Sequence, residues 1–245
     1  MSSHYFSNTL NIEQQCQTTA KKIMLMDATR IDVASLPLDK LLSDFELSVL
    51  EKRKVPSAKQ EYLATRLTLK YLYQHAYPND DLALSEISSQ FDDKDCKLKL
   101  HTPVRVPVWT CLSHSNGLIG AALNPEQQLF GFDIEQSSKP RPFIKLAKHF
   151  YHQDEVDLIS RFDAPDEQAQ CFFRIWTLKE ALAKASAQPI AKLLAPNVFE
   201  ELSKQYFSAS SNSIEGFDIS VVAQKSTDWQ CSFINFNDLR RDLAF

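Results

Sequence analysis

The pattern of apolar and polar positions changes period several times along this chain. IMLMDA (23–28) is a short continuous apolar run and predicts a buried strand. LDKLLSDFELSVLEKRK (38–54) predicts a helix, with Ser43 and Asp44 as internal cap signals. After Pro56, SAKQEYLATRLTLKYLYQHAY (57–77) is the clearest helix of the first half, and Pro78-Asn79-Asp80 ends it. Residues 80–108 are short segments broken by Asp, Lys and Pro, which read as loop and edge strands. WTCLSHSNGLIGAAL (109–123) reads as strand, turn, strand, with Asn116-Gly117 as the hairpin signal. LFGFDIEQ (129–136) alternates: Phe130, Phe132 and Ile134 face one side of a strand, Gly131, Asp133 and Glu135 the other. Residues 143–161 predict one helix or two short ones. The strongest helix is 165–187, with Pro165 at its first position, Asp166 and Glu167 at its positive end, and Pro189 beyond it. FDISVV and WQCSFINF predict two closing strands. Both halves run from helices to antiparallel strands, so the expected fold class is α+β, with a polar arm over 1–20 and lobes over 21–124 and 125–245.

Composition supports a packed chain. Of 245 residues, 44% are hydrophobic and 24% charged, near globular averages. No run of about 18 apolar residues predicts a membrane span. The start, MSSHYFSNTLNIEQQ, lacks the basic and apolar stretches of a secretory signal. A net charge of −4 argues against nucleic acid as the main partner. Cys16, Cys96, Cys111, Cys171 and Cys231 are odd in number and scattered, which reads as free thiols in a cytoplasmic protein. Glycine is scarce, four in all, and Gly117, Gly120 and Gly131 fall close together, as if placed for geometry.

Three clusters carry chemistry. Asp133 and Glu135 lie side by side on one strand face, their Cβ atoms ~6–7 Å apart. Carboxylates that close repel unless a cation sits between them, and hard oxygen ligands suit Mg²⁺. Gly131 on that face would let a ligand approach the backbone; a plain solvated face is the other reading. In FFRIWTLKEALAKA (172–185), Phe172, Phe173, Ile175, Trp176, Leu182 and Ala183 share one helical arc, and Lys179 and Glu180 fall inside it. An ordinary Glu180–Lys184 surface pair would sit opposite the aromatic residues, so Glu180 is either buried at a cost or bound to something. LSHSNG (112–117) could hold a phosphate at a strand end; adjacent Ser113 and His114 face opposite ways and make a poor nucleophile pair. EKRK (51–54) reads as a solvated helix end or a phosphate anchor.

The order of these clusters resembles the 4′-phosphopantetheinyl transferases of the large, two-lobed, surfactin-synthetase-activating type. The likeness rests on LSHSNG, then GFDIE, then Phe150 to Glu155, then Trp176-Thr177-Leu178-Lys179-Glu180 with Lys184, and on KQEYLATRLTLKYLY (59–73). It implies two similar lobes in a pseudo-dimer, each with helices on a small, mostly antiparallel sheet, and an active site at the lobe interface. It implies a transferase that moves the phosphopantetheine arm of coenzyme A to a serine of an apo acyl or peptidyl carrier protein and releases adenosine 3′,5′-bisphosphate. By the same resemblance Asp133, Glu135 and Glu180 hold Mg²⁺, with Mn²⁺ as a substitute. Glu180 or a water is the base, and Lys184 stabilises the departing bisphosphate. Ser113 and His114 bind the nucleotide, His114 at its 3′-phosphate with Arg53, and Glu155 supports the metal shell or the pantetheine side. Lys97, Lys99 or Arg105 would add a positive contact. The expected partners are coenzyme A and the carrier, with no nucleic acid, no membrane, and a monomeric enzyme.

The chain departs from the family pattern in ASAQPIAKLLAP (185–196), which has no glycine, and in a short C-terminus where a final strand is missing or differently placed. Two other readings compete: a carrier-binding module without catalysis, and a metal-dependent nucleotide hydrolase.

Overall fold

The structure is a computed structural model and describes residues 9–13, 21–126, 128–138, 141–224 and 229–245. The expected polar arm therefore lies outside the described residues except for 9–13, and Cys16 lies outside them as well.

The chain divides into two compact units. The first is built on Ile12–Gln127. Strands β1 (Asn11–Glu13) and β2 (Lys22–Asp27) are followed by helices α1 (Leu38–Leu41), α2 (Asp44–Glu51) and α3 (Pro56–Ala76). Strands β3 (Ser88–Asp92), β4 (Lys97–Thr102), β5 (Arg105–Ser115) and β6 (Leu118–Asn124) complete its sequence-continuous part. The single helix expected over 38–54 is two helices, because the Ser43 hydroxyl accepts from the Glu46 N–H while the Glu46 side chain accepts from the Ser43 N–H. That reciprocal cap starts a new helix at Asp44. The hairpin turn is where Asn116-Gly117 predicts it, with φ of 48° and 85°, the left-handed pair that a two-residue turn needs.

The second unit is built on Gln128–Trp229 with residues 9–11. It runs β7 (Phe130–Gln136), α4 (Phe143–Phe150), α5 (Gln153–Ile159), α6 (Pro165–Ser186), α7 (Val198–Lys204), β8 (Phe207–Ile214) and β9 (Phe217–Gln224). Its sheet is antiparallel in the order β7-β9-β8. Leu10 donates its N–H to Ser211 O at 3.0 Å.

Strand β10 (Gln230–Phe233) and helix α8 (Phe236–Asp242) return to the first unit, so Gln230–Phe245 group with it and not with 125–245 as expected. The strand expected in WQCSFINF is β10, which lies parallel to β2 in a seven-stranded sheet of order β1-β10-β2-β6-β5-β4-β3, and the residues after it form α8. Its apolar and polar alternation predicts a strand but names no partner.

The two units repeat one plan: strand, short helices, a long helix with Pro at its start, then a hairpin whose second strand pairs antiparallel with the first strand. The turns match too, Ala28 N–H to Gly117 O at 2.9 Å and Ser137 N–H to Gly216 O at 2.8 Å. At equal spacing from Pro56 and Pro165 stand Lys70 and Lys179, each in a buried ion pair, with Glu46 at 2.7 Å and with Glu155 at 3.0 Å. At that spacing Met24 and Met26 stand where Asp133 and Glu135 stand, and Tyr71 where Glu180 stands. Sequence periodicity shows no repeat because the shared positions are few and the two units differ in nearly all others.

Candidate active site

The site begins where α6 crosses β7. Gly131 is what lets them meet: a Cβ there would stand 2.4 Å from Ala181 O and 2.6 Å from Ala185 N. The glycine therefore admits the helix backbone and not a ligand, which corrects the reading from sequence. The same face carries Asp133, only 5% exposed, and the half-buried Glu135, so it is not a solvated strand face. Phe130, Phe132 and Ile134 are buried on the opposite side, Phe130 stacked on Trp229 at 4.7 Å.

Helix α6 brings Glu180 and Lys184 to these acids. Burial holds the Glu180 carboxyl above the usual carboxylate range; Asp133 raises it further, Lys184 opposes and Glu135 adds a smaller push. Lys184 does not sit in a simple helical pair with Glu180. Its ammonium donates to Asp133 Oδ1 at 2.8 Å and to Phe132 O at 3.1 Å. One cation thus already serves a carboxylate in a cluster of three acids.

Among the described residues, no three His, Cys, Asp or Glu side chains close on one point as a ready metal cage. The donor chemistry nonetheless fits Mg²⁺, which is commonly held by one or two carboxylates together with substrate phosphates and needs no all-protein cage.

Glu155 lies apart from solvent. Its Oε1 is 3.0 Å from Lys179 Nζ and accepts from Val198 N–H at 2.8 Å, while Oε2 accepts from His152 N–H at 3.1 Å. Both oxygens are engaged within the protein.

In the first unit, Ser113 is 5% exposed on β5, whereas the neighbouring His114 is exposed on the other face with Nδ1 3.3 Å from Glu61. Beside Glu61 is a cavity of about 240 Å³ lined by Thr29, Ser57, Gln60 and Asn116 among others. Arg53 stacks on the Tyr62 ring at 4.6 Å, and Arg66 stacks on the same ring at 4.0 Å. Among the described residues, the buried Arg53 Nε and Arg66 Nε have no hydrogen-bond partner, so both guanidiniums retain donors for an anion. Arg66 was not among the sequence candidates; its signal was the aromatic residue one helical turn before it. The expected positive contacts at Lys99 and Arg105 are taken by local acids: Lys99 pairs with Asp92 and Asp95, Arg105 with Asp80. Lys97 is 7% exposed on β4.

Residues 129–234, which contain Asp133, Glu135, Glu155, Glu180 and Lys184, match the family described as the 4′-phosphopantetheinyl transferase superfamily. This segment of the chain is therefore similar to that superfamily. Similar curated proteins agree. A putative 4′-phosphopantetheinyl transferase, slr0495 of Synechocystis sp., is 30% identical over 62% of this chain and 59% of its own. 4′-Phosphopantetheinyl transferase HetI of Nostoc sp. is 43% identical over 34% of each chain. The transferase gsp of Aneurinibacillus migulanus is 29% identical over 54% of this chain and 49% of its own. The chain thus covers less than two thirds of each of these relatives. The superfamily segment holds the acid cluster and its lysine, while Arg53, Ser113 and His114 precede it.

Proposed function

We propose that this chain is a 4′-phosphopantetheinyl transferase, which transfers the 4′-phosphopantetheine arm of coenzyme A to a serine of an apo carrier protein and releases adenosine 3′,5′-bisphosphate. The observation that carries the reading is Glu180 set against Asp133, Glu135 and Lys184, inside the segment that matches the superfamily. Asp133, Glu135 and Glu180 are the residues to hold Mg²⁺. When bound, the ion would supply neutralisation of the pyrophosphate and of the charge that develops in transfer.

The carrier serine oxygen forms a bond to the β-phosphorus as the bond from that phosphorus to the bridging oxygen breaks. Glu180, or a water it holds, takes the serine proton; its raised pKa makes it a better base than a solvated carboxylate. Lys184 exchanges Asp133 for the departing bisphosphate. His114 and Arg53 hold the nucleotide phosphates, Ser113 lies behind His114 on the same strand, and Arg66 joins them across the Tyr62 ring. Glu155 supports the acid cluster through Lys179.

Carrier recognition falls to the exposed face of α4. Lys145, Lys148, His149 and Phe150 line a groove of about 530 Å³ there with Pro142 and Leu146, and it joins positive charge to apolar surface. Carriers of this class are usually acidic, so such a face suits them.

The test is intact-mass measurement of apo carrier proteins after incubation with coenzyme A and Mg²⁺. The expected result is gain of one phosphopantetheine mass by a carrier with an intact serine and none by its Ser→Ala form. No gain with any of several carriers, or bisphosphate release without a carrier, overturns the reading.

A further inference from the structure

Lys179 is the residue of the W-x-x-K-E segment that sequence reading leaves without a role. It is 0% exposed in the middle of α6 and immediately precedes Glu180. A lysine ammonium has three donors. Here they go to Glu155 Oε1 at 3.0 Å, Leu193 O at 3.0 Å and Pro196 O at 2.6 Å. None remains for a substrate phosphate. The three acceptors come from the start of α5 and from the loop after α6, so one ammonium ties this turn of α6 to two other segments.

The first unit contains the same clamp. Lys70 is 1% exposed in α3 and donates to Leu41 O at 2.6 Å and Leu84 O at 2.8 Å, with Glu46 at 2.7 Å. Glu46 also accepts from Ser89 N–H at 2.9 Å, as Glu155 does from Val198 N–H at 2.8 Å. Each glutamate further accepts from the N–H of its own helix cap, Ser43 or His152. The residue after Lys70 is Tyr71, and the strand positions that match Asp133 and Glu135 are Met24 and Met26. The lysine–glutamate pair and one carbonyl acceptor, Leu84 O matching Leu193 O, therefore recur where the positions matching the three acids hold none, while the third acceptor differs, Leu41 O in one unit and Pro196 O in the other.

We infer that Lys179 and Glu155 form a positioning clamp which sets the turn of α6 that carries Glu180, and that Lys179 touches no substrate. This rests on the transferase reading for its kinetic consequences but not for its geometry. Removing Lys179 alone strands the Glu155 carboxylate in the interior, which forces the turn to rearrange or admit water. Removing both charges takes away the cause of the rearrangement.

The test compares Lys179→Met, the double variant Glu155→Gln/Lys179→Met, and Lys70→Met as the same lesion in the other unit. For Lys179→Met we expect the Mg²⁺ concentration for half-maximal rate to rise ~10-fold with little change in KM for coenzyme A, the split expected of a displaced metal-binding acid. The double variant should recover to within ~3-fold of wild type, since a buried pair removed together leaves no stranded charge. Crystal structures should show the Glu180 carboxylate displaced by ~1 Å in the single variant and restored in the double, a shift large enough to matter for catalysis. Lys70→Met should leave the Mg²⁺ dependence unchanged. A folded double variant that stays as slow as the single one, with raised KM for coenzyme A, would show that Lys179 binds substrate and would sink the inference. If Lys179→Met does not fold, recovery or loss of rate in the double variant decides alone. A wild type that transfers nothing counts against the transferase reading only; the position of Glu180 in the crystals still judges the clamp.

Discussion

Glu180 is held in a conflict that function would explain and folding would not. Burial and the charge of Asp133 raise its pKa. A carboxyl raised in the folded chain keeps its proton there at pH values where the unfolded chain has lost it. Its contribution to stability is therefore complete below the ordinary glutamate pKa of ~4.3 and lost as pH rises through the raised value. At pH 7.5 without Mg²⁺ the ionised group opposes folding. Glu180→Gln should then melt ~2 °C higher than wild type, the shift that somewhat under 1 kcal/mol gives in a chain of this size. The same variant should transfer phosphopantetheine at least ~100-fold more slowly. Scanning calorimetry and a turnover assay check the two halves; an unchanged or lower melting temperature would mean that Glu180 is relaxed in its place. Adding saturating Mg²⁺ should stabilise wild type more than the variant, because the ion answers the charge that the amide lacks. The helical arc of α6 already showed that Glu180 and Lys179 lie among apolar neighbours. It did not show who receives Lys184, since spacing within a helix records nothing of β7, and Asp133 on that strand takes the ammonium.

Elements were legible where local chemistry is strong and obscure where tertiary contacts decide. Pro56 and Pro165 start α3 and α6, and the hairpin of β5 and β6 follows its Asn-Gly turn. By contrast β8, FSASSNSI, has the composition of a loop. It forms a strand because its hydroxyls find partners inside: Ser211 bonds Ser220 of β9 at 2.8 Å, and Ser220 bonds Thr177 of α6 at 2.7 Å. The β7–α6 crossing is likewise a tertiary event, and it yields a sharp expectation for Gly131. A methyl there would press on Ala181 O, Ala185 N and Lys184 Cβ, two of which are helix backbone that cannot swing aside. Gly131→Ala should cost ~1–3 kcal/mol by overpacking and lower the melting temperature by several degrees. Because α6 must move as a unit, the Lys184–Asp133 contact should lengthen and transfer should slow ~10-fold or more, as a small misplacement of positioned groups does. A variant with native melting and native rate would mean that α6 yields without disturbing the site.

At the scale of the whole molecule, the α+β class and the repeated helix-then-hairpin plan were visible in the order of elements. The return of β10 to lie beside β2 was not, because a strand pairs by backbone groups that every sequence shares. Charge is the other property that belongs to the molecule as a whole. The chain is slightly acidic, with net charge −4, and under the transferase proposal an acidic carrier would approach it against that balance. A local basic face must then provide the attraction, and Lys145 and Lys148 stand exposed on α4 beside Phe150. Reversing both, Lys145→Glu with Lys148→Glu, changes the local charge by four units on a helix face that packs through Phe143 and Ala147 on its other side. The fold should be untouched. KM for an acidic carrier should rise ~10-fold, chiefly through slower association, and the remaining rate should lose most of its dependence on salt, because exposed charges act over a Debye length of ~8–10 Å. KM for coenzyme A should not change. If the double reversal left carrier KM and its salt dependence as in wild type, carrier would dock elsewhere and the α4 groove would have no part in it; steady-state kinetics at two ionic strengths separates the outcomes.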